Sequence, residues 1–264
     1  MYANFNGNQG VKLIEQAFEA ASTVVFESTQ ILNCYNNYYK IKNYVIRPGG
    51  INYSEIEKFK NNFHHNEKTK LKEKLNLPIN NKIFLNVGTV CERKNQIEIV
   101  KAIAKMPEHF RKLFSVLIVG DIGLDYSKTI KHFITKNKLT NVLLLTNKNN
   151  IYDYYSMADF YVSTTKSESF PRSLLTAMAF ELPIISSIYP GVEEILYDDN
   201  YANFYKKNDI ESLSNNIVKF LDNNYSQNNQ KTGLSLSLVM RIFNIDRVMK
   251  HEINSIKKTI YGRE

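Results

Sequence analysis

No stretch of this sequence reaches the ~20 consecutive apolar residues that span a bilayer, although 43% of its 264 residues are hydrophobic. No charged-then-apolar signal segment follows Met1 either, so a cytoplasmic location is the default expectation. Cysteine is scarce. Cys34 and Cys91 stand at a spacing that forms neither a metal site nor a redox motif. The formal charge of +8 comes from Lys scattered among Glu, with no zinc-finger or RNP-type pattern and no basic helix interleaved with aromatics. Nucleic-acid binding is therefore not expected; weak attraction to an anionic inner-membrane face is a secondary expectation. A Gly-rich dinucleotide fingerprint is absent after every apparent strand, which argues against an NAD enzyme, and the missing Walker pattern argues against an NTPase. No Asp-x-Asp pair lies at a strand end, so no metal is expected. The adjacent His64 and His65 sit in a solvated stretch, where such pairs are ordinarily inert.

What the chain does contain is alternation. Val11, Ile14, Ala17, Phe18 and Ala21 are spaced for an amphipathic helix over 11–21. A strand at 23–27, a helix over 29–40 and a strand at 44–47 follow, closed by Pro48-Gly49-Gly50. Two strands and two helices bury too little apolar area to stand alone, so something should pack on them. Residues 51–81 are rich in Asn and Lys and read as a connector, with a short helix at 68–75 and a turn at Leu77-Pro78. From Lys82 onward, apolar runs at 83–87, 116–119, 142–145, 160–163, 184–186 and 203–205 alternate with helical stretches at 95–106, 126–137, 150–157, 171–180 and 191–197. Helices over 209–222 and about 236–260 complete the chain, joined by a flexible polar loop, DNNYSQNNQKTG. The pattern predicts an α/β fold, a doubly wound parallel sheet with a partial second α/β domain. The expected boundaries are 1–50 for the partial domain, 51–81 for a linker, 82–230 for the Rossmann-like domain and 231–264 for a helix crossing back.

Ligands of such sheets bind outside the carboxyl ends of the strands. The loops there hold Gly88 to Asn95, Gly120 to Gly123, Thr146 to Lys148, Thr164 to Glu168 and Ser187 to Glu194. One stretch stands out, SESFPRSLLTAMAFELP at 167–183. Ser169 is a candidate N-cap for a helix opening near Pro171, whose free amides and dipole favour an anion. Glu168 just before it can accept hydrogen bonds from a neutral polyol, and Arg93 and Lys94 can neutralise a diphosphate. A phosphate pocket beside a carboxylate suggests a sugar joined to phosphate.

Residues 82–222 resemble the C-terminal, donor-binding domain of the family 4 retaining glycosyltransferases of GT-B fold. The resemblance is carried by Gly88…Arg93-Lys94-Asn95-Gln96, VLIVGD at 116–121, IYDYYSMADFYVSTTKSESFP at 151–171, LLTAMAFELPII at 174–185 and PGVEEIL at 190–196, in the family's order. Residues 23–51 resemble the end of the family's N-terminal domain, and the last helix resembles the one that returns to that domain. The resemblance implies a UDP- or GDP-linked sugar donor, no cofactor beyond it, and a glycan or lipid-linked acceptor. It implies that Lys94 and Arg93 contact the donor diphosphate. Glu168 matches the first carboxylate of the family's Glu-x7-Glu motif. Phe170, Pro171 and Arg172 match a turn whose amides approach sugar and phosphate, Glu194 matches the carboxylate of a Gly-x-x-Glu turn, and Gly120 and Thr146 line the nucleotide pocket. Two positions depart from the pattern: Thr176 stands at the second carboxylate of the motif, and Thr89 where an arginine often follows Gly88.

The family's acceptor-holding domain is represented only by its last elements. Three readings follow. The first is a glycosyltransferase whose other half comes from upstream sequence or a partner subunit. The second is a degenerate donor-binding module, favoured by Thr89 and Thr176. The third is another α/β enzyme of similar topology, such as a nucleotide-sugar epimerase.

Overall fold

Residues 8–46 fold as a small α/β layer: α1 (Asn8–Ala20), β1 (Val24–Phe26), α2 (Thr29–Asn36) and β2 (Tyr44–Ile46), with the two strands parallel. Ser28 caps α2, its hydroxyl accepting from the Ile31 amide at 3.2 Å. The layer's own core is slight. Phe26 and Leu32 are buried, while Val25 and Tyr44 are 51% and 47% exposed. This is the shortfall in burial expected of two strands and two helices.

The computed structural model describes residues 8–120, 125–146, 150–196, 200–221 and 227–261. Residues 51–81, expected as a connector with one short helix, instead form two, α3 (Tyr53–Asn62) and α4 (His65–Lys74). Tyr53 and Ile56 bury one face of α3 in the main core, which a plain connector would not do. His64 is the residue before α4, its amide donating to Glu67 Oε2 at 2.9 Å and so closing the first turn of the helix.

The main sheet follows from strands buried on both faces. Its members are β3 (Lys82–Val87), β4 (Phe114–Val119), β5 (Val142–Leu145), β6 (Phe160–Ser163), β7 (Ile184–Ser187) and β8 (Asn203–Tyr205). All pairings are parallel, in the order β5-β4-β3-β6-β7-β8. The intervening helices are α5 (Ile97–Lys105), α6 (Glu108–Arg111), α7 (Asp125–Lys136), α8 (Ile151–Met157), α9 (Arg172–Ala179) and α10 (Pro190–Ile195). They cover both faces and generate two cores, one centred on Leu85, Tyr161 and Leu175, the other on Phe84, Ile99 and Ile118.

The end of the chain corrects one expectation. Where a flexible loop over 222–233 and a helix over 236–260 were expected, α11 (Ile210–Leu221) is followed by α12 (Gln227–Leu238), a π-helical turn (Val239–Phe243) and α13 (Ile245–Tyr261). Residues 222–226 lie outside the described residues. The α12 segment is helical despite its polar composition because Leu238 and Ser235 are buried, the Ser235 hydroxyl donating to the Tyr201 carbonyl at 3.1 Å. The chain crosses back at Ile51, which pairs with Asn244 through hydrogen bonds of 2.9 Å on either side.

Two glycines set the spacing at the carboxyl edge. Gly88 holds φ at +148°, outside the range of L side chains. A Cβ on Gly120 would lie 2.0 Å from the Gly88 carbonyl oxygen, so β3 and β4 can end side by side only if residue 120 has no side chain. Gly120→Ala is expected to destabilise the fold by about 2–3 kcal/mol, because backbone cannot yield as a side chain would. A lowered urea midpoint at unchanged m-value checks this.

Candidate active site at the switch point of the sheet

The strand order reverses between β3 and β6, the place where sheets of this kind form a ligand crevice. Arg93 and Lys94 lie on the loop after β3, Glu168 on the loop after β6. The Lys94 Nζ stands 2.8 and 2.6 Å from the two Glu168 carboxylate oxygens. Arg93 approaches Oε1 of the same carboxylate at 3.4 Å and donates to the Ser167 carbonyl at 3.1 Å. Side-chain exposures of 11% for Lys94, 15% for Glu168 and 33% for Arg93 make this a partly desolvated cluster with one excess positive charge. Backbone contacts fix the loops to each other: the Thr164 hydroxyl donates to the Lys94 carbonyl at 2.9 Å, and the Lys166 amide to the Arg93 carbonyl at 2.8 Å.

The turn that presents Lys94 is held from behind. Asn95 adopts φ +54°, and its amide side chain donates to Glu98 Oε1 at 2.6 Å. Glu98 is 3% exposed. Its carboxylate also accepts from the Tyr205 hydroxyl at 2.9 Å and the Asn208 amide at 3.0 Å. Burial first, then the Glu98 charge, raises the Tyr205 phenol well above its ordinary pKa, so it stays a donor. Tyr126 supports the same turn, accepting from the Ile97 amide at 3.2 Å, and burial pushes its phenol up to about 12.

The other sequence-predicted residues divide into two groups. Gly88, Gly120 and Thr146 sit at the ends of three neighbouring strands, linked by the Gly88 amide to the Val119 carbonyl and the Gly120 amide to the Leu145 carbonyl, both at 2.9 Å. Thr89 beside them is exposed. Pro171 occupies the cap position of α9 and Arg172 its exposed first residue. Thr176, one turn on, donates to the Arg172 carbonyl at 3.0 Å. The second group is engaged with the N-terminal layer and the end of the chain. Ser169 is not the cap of α9; its hydroxyl donates to Glu27 Oε2 in the N-terminal layer at 3.1 Å. Phe170 is buried against Phe243, with ring centroids 5.9 Å apart. Glu194 caps α2, accepting from the Thr29 amide at 2.7 Å and the Gln30 amide at 3.3 Å. Asp121 to Gly123 and Asn147-Lys148, expected beside them, lie outside the described residues.

Sequence reasoning missed Glu98, Tyr205, Tyr189 and Glu27. Tyr189 precedes Pro190-Gly191, a turn signal that marked its loop without marking the residue. It is almost fully buried, and burial first and the Glu168 charge second raise its pKa well above the ordinary value.

A doubly wound parallel sheet with two cations and a carboxylate at its switch point defines a class, the open α/β proteins whose ligands bind at the carboxyl edge of the sheet. The family model for "Glycosyl transferases group 1" matches residues 67–233, well over half of the 264 residues, and the chain belongs to that family. An uncharacterized glycosyltransferase of Methanocaldococcus jannaschii is 28% identical over 213 residues, 78% of this chain and 51% of that protein. Among solved structures, a glycosyltransferase from Rickettsia africae superposes with a TM-score of 0.86 at 18% identity, over 97% of this chain and 68% of that one. HepE of Anabaena, solved in complex with UDP and glucose, superposes with a TM-score of 0.83 at 16% identity, over 96% of this chain and 68% of that one. The fold is thus that of the GT-B glycosyltransferases, and the chain spans about half the length of the M. jannaschii relative. No helix among the described residues is long and apolar enough to cross a membrane.

Tyr205→Phe is expected to cost about 1–3 kcal/mol, since it leaves a buried carboxylate short of a donor. Urea unfolding of the variant beside the parent measures it.

Proposed function

We propose that this chain is the donor-binding half of a retaining, hexosyl-type glycosyltransferase of family 4. In this reading it takes a UDP- or GDP-linked sugar and delivers the sugar to a glycan or lipid-linked acceptor. The Arg93–Lys94–Glu168 cluster at the switch point carries the proposal. Arg93 and Lys94 neutralise the donor diphosphate and stabilise the negative charge that grows on it as the glycosidic bond lengthens. Glu168, held in place by Lys94, accepts hydrogen bonds from the sugar. The strand-end backbones at Gly88, Gly120 and Thr146 border the nucleotide. HepE, a protein of the same fold, is solved with UDP and glucose, and this supports a nucleotide sugar as the ligand class. The chemistry needs no metal in this reading, because the two cations supply the positive field.

The acceptor oxygen must be held against the anomeric carbon, and such positioning supplies much of the rate. The N-terminal layer of this chain offers only part of that surface. In this reading an acceptor-side domain, in the same polypeptide or in a partner subunit, completes that surface.

A second reading, a donor-binding module without transfer activity, is favoured by one observation. Thr176, in place of a second carboxylate, donates its hydroxyl to its own helix and brings no charge to the ribose. Calorimetric titration with UDP and GDP, followed by assay with sugar nucleotide and a supplied acceptor-side domain, separates the two. Lys94→Ala is expected to weaken nucleotide binding by about tenfold or more, the worth of a charge-assisted contact. Glu168→Ala is expected to abolish transfer. Intact transfer by Glu168→Ala sinks the site assignment; nucleotide binding without turnover in the wild type selects the second reading.

A further inference from the structure

The turns and helix ends at the amino edge of β3, β4 and β5 surround a cavity of about 500 Å³, in the range of small-molecule sites. It lies at the opposite end of the strands from Lys94 and Glu168, the length of β3 away, about 17 Å for five residue steps. Its floor is polar although buried. Asn81 and Ser115 line it, 8% and 1% exposed, and the Asn81 Nδ2 donates to the Ser115 hydroxyl at 3.2 Å. Asn137 and Asn141 line it too, their Nδ2 groups donating to the Phe133 carbonyl at 2.8 Å and the Phe114 carbonyl at 3.3 Å. Each amide thus has its nitrogen engaged by the fold. Among the described residues no donor reaches any of the three Oδ1 atoms, which leaves three acceptors for hydroxyl protons.

The charges around these amides are unbalanced. Arg111, Lys112 and Lys138 line the cavity against one carboxylate, Glu108, and that carboxylate pairs with Lys112 at 2.9 Å. Arg111 is half-buried, and its Nε is closed off from solvent without a hydrogen-bond partner. Among the described residues neither Arg111 nor Lys138 has an ion-pair partner. Helix dipoles do not account for these cations: α6 is a single turn of four residues, and Lys136 already stands in the last turn of α7.

Acceptors for hydroxyls beside uncompensated cations match a ligand that carries hydroxyls and an anionic group together. A nucleotide brings both, but among the described residues no aromatic side chain lines the cavity to stack on a base. Leu77, Pro78 and Leu143 offer apolar surface of the size of a sugar's C–H face.

We propose that this cavity is a saccharide site, separate from the crevice, that takes an acidic sugar. The sugar's hydroxyls bind the Asn81, Asn137 and Asn141 carbonyl oxygens, and its anionic group binds Arg111 and Lys138. The inference stands apart from the donor reading and adds a second place, on the far edge of the same sheet, where a glycan is held.

The test uses the full chain with methyl β-D-glucuronide, methyl β-D-glucoside and inorganic phosphate, followed through amide chemical shifts by NMR. The glucuronide is expected to bind about tenfold more tightly than the other two, the worth of one hydrogen bond between charged groups. It should shift the backbone amides of Asn81, Asn137 and Asn141 and leave those of Lys94 and Glu168 in place, with or without saturating UDP. Arg111→Gln should weaken the glucuronide by about tenfold. Lys138→Glu, at an exposed position, should remove the preference for the acidic sugar, and melting temperatures confirm folding. Equal binding of glucuronide and glucoside, or of neither, overturns the proposal, as does phosphate binding as tightly as the glucuronide. Unchanged binding in both variants overturns it too, and so does displacement of the sugar by UDP. Failure of the chain to bind UDP or GDP overturns the donor reading instead, and the map of shifted amides still decides this site.

Discussion

The reversal of strand order between β3 and β6 is the constraint on which the rest depends. Once the chain has laid down β3, β4 and β5 outward on one side, it must return to the middle to begin β6. The loops after β3 and β6 then turn to opposite faces of the sheet and leave their first residues facing each other. The sheet brings Lys94 and Glu168 together although 74 positions separate them. With both side chains largely withdrawn from water, each charge relies on the other to offset its lost hydration. The crevice is therefore electrostatically defined by the chain itself.

Precision at that point comes from backbone and from buried polar groups outside the crevice. Gly88 and Gly120 let two strand ends touch, which sets where the Arg93–Lys94 turn departs. Asn95 then takes a left-handed conformation, uncommon for a residue with a side chain. Glu98 offsets that cost by binding Asn95, and Tyr205 and Asn208 satisfy the remaining lone pairs of its carboxylate. A buried carboxylate served by three neutral donors is a poor way to add stability but an effective way to fix one arrangement of a loop.

The sheet was legible because β4, β6 and β7 are buried on both faces, and such strands must be apolar throughout. The meeting of Arg93, Lys94 and Glu168 followed from knowing which ends of those strands face the crevice. Other features left weaker traces. The apolar residues of α3, Tyr53, Ile56 and Phe59, are diluted among Glu, Lys and Asn, so composition suggested a connector where packing makes a helix. In α12 the buried side is made partly by Ser235, whose hydroxyl is satisfied by a distant carbonyl that no local pattern reveals. Ser169 had the identity and position of a cap, but its hydroxyl is drawn to Glu27, a residue 142 positions earlier. Glu98 was illegible for the same reason, since its partners at 205 and 208 are brought to it only by the last strand of the sheet.

These long-range contacts also explain how the slight N-terminal layer persists. It buries little of its own, and its attachments fall on the elements around Glu168. Glu194 closes the amino end of α2, Ser169 binds Glu27, and Phe170 packs beside Phe243, which in turn bonds the chain at Ile51. Phe170 and Ser169 immediately follow Glu168, so any shift of the layer is felt first at the residues flanking that carboxylate. A change in the layer's position is thereby coupled through two adjacent residues to the Glu168 carboxylate. The same contacts that hold the layer in place make its position matter to the Lys94–Glu168 pair.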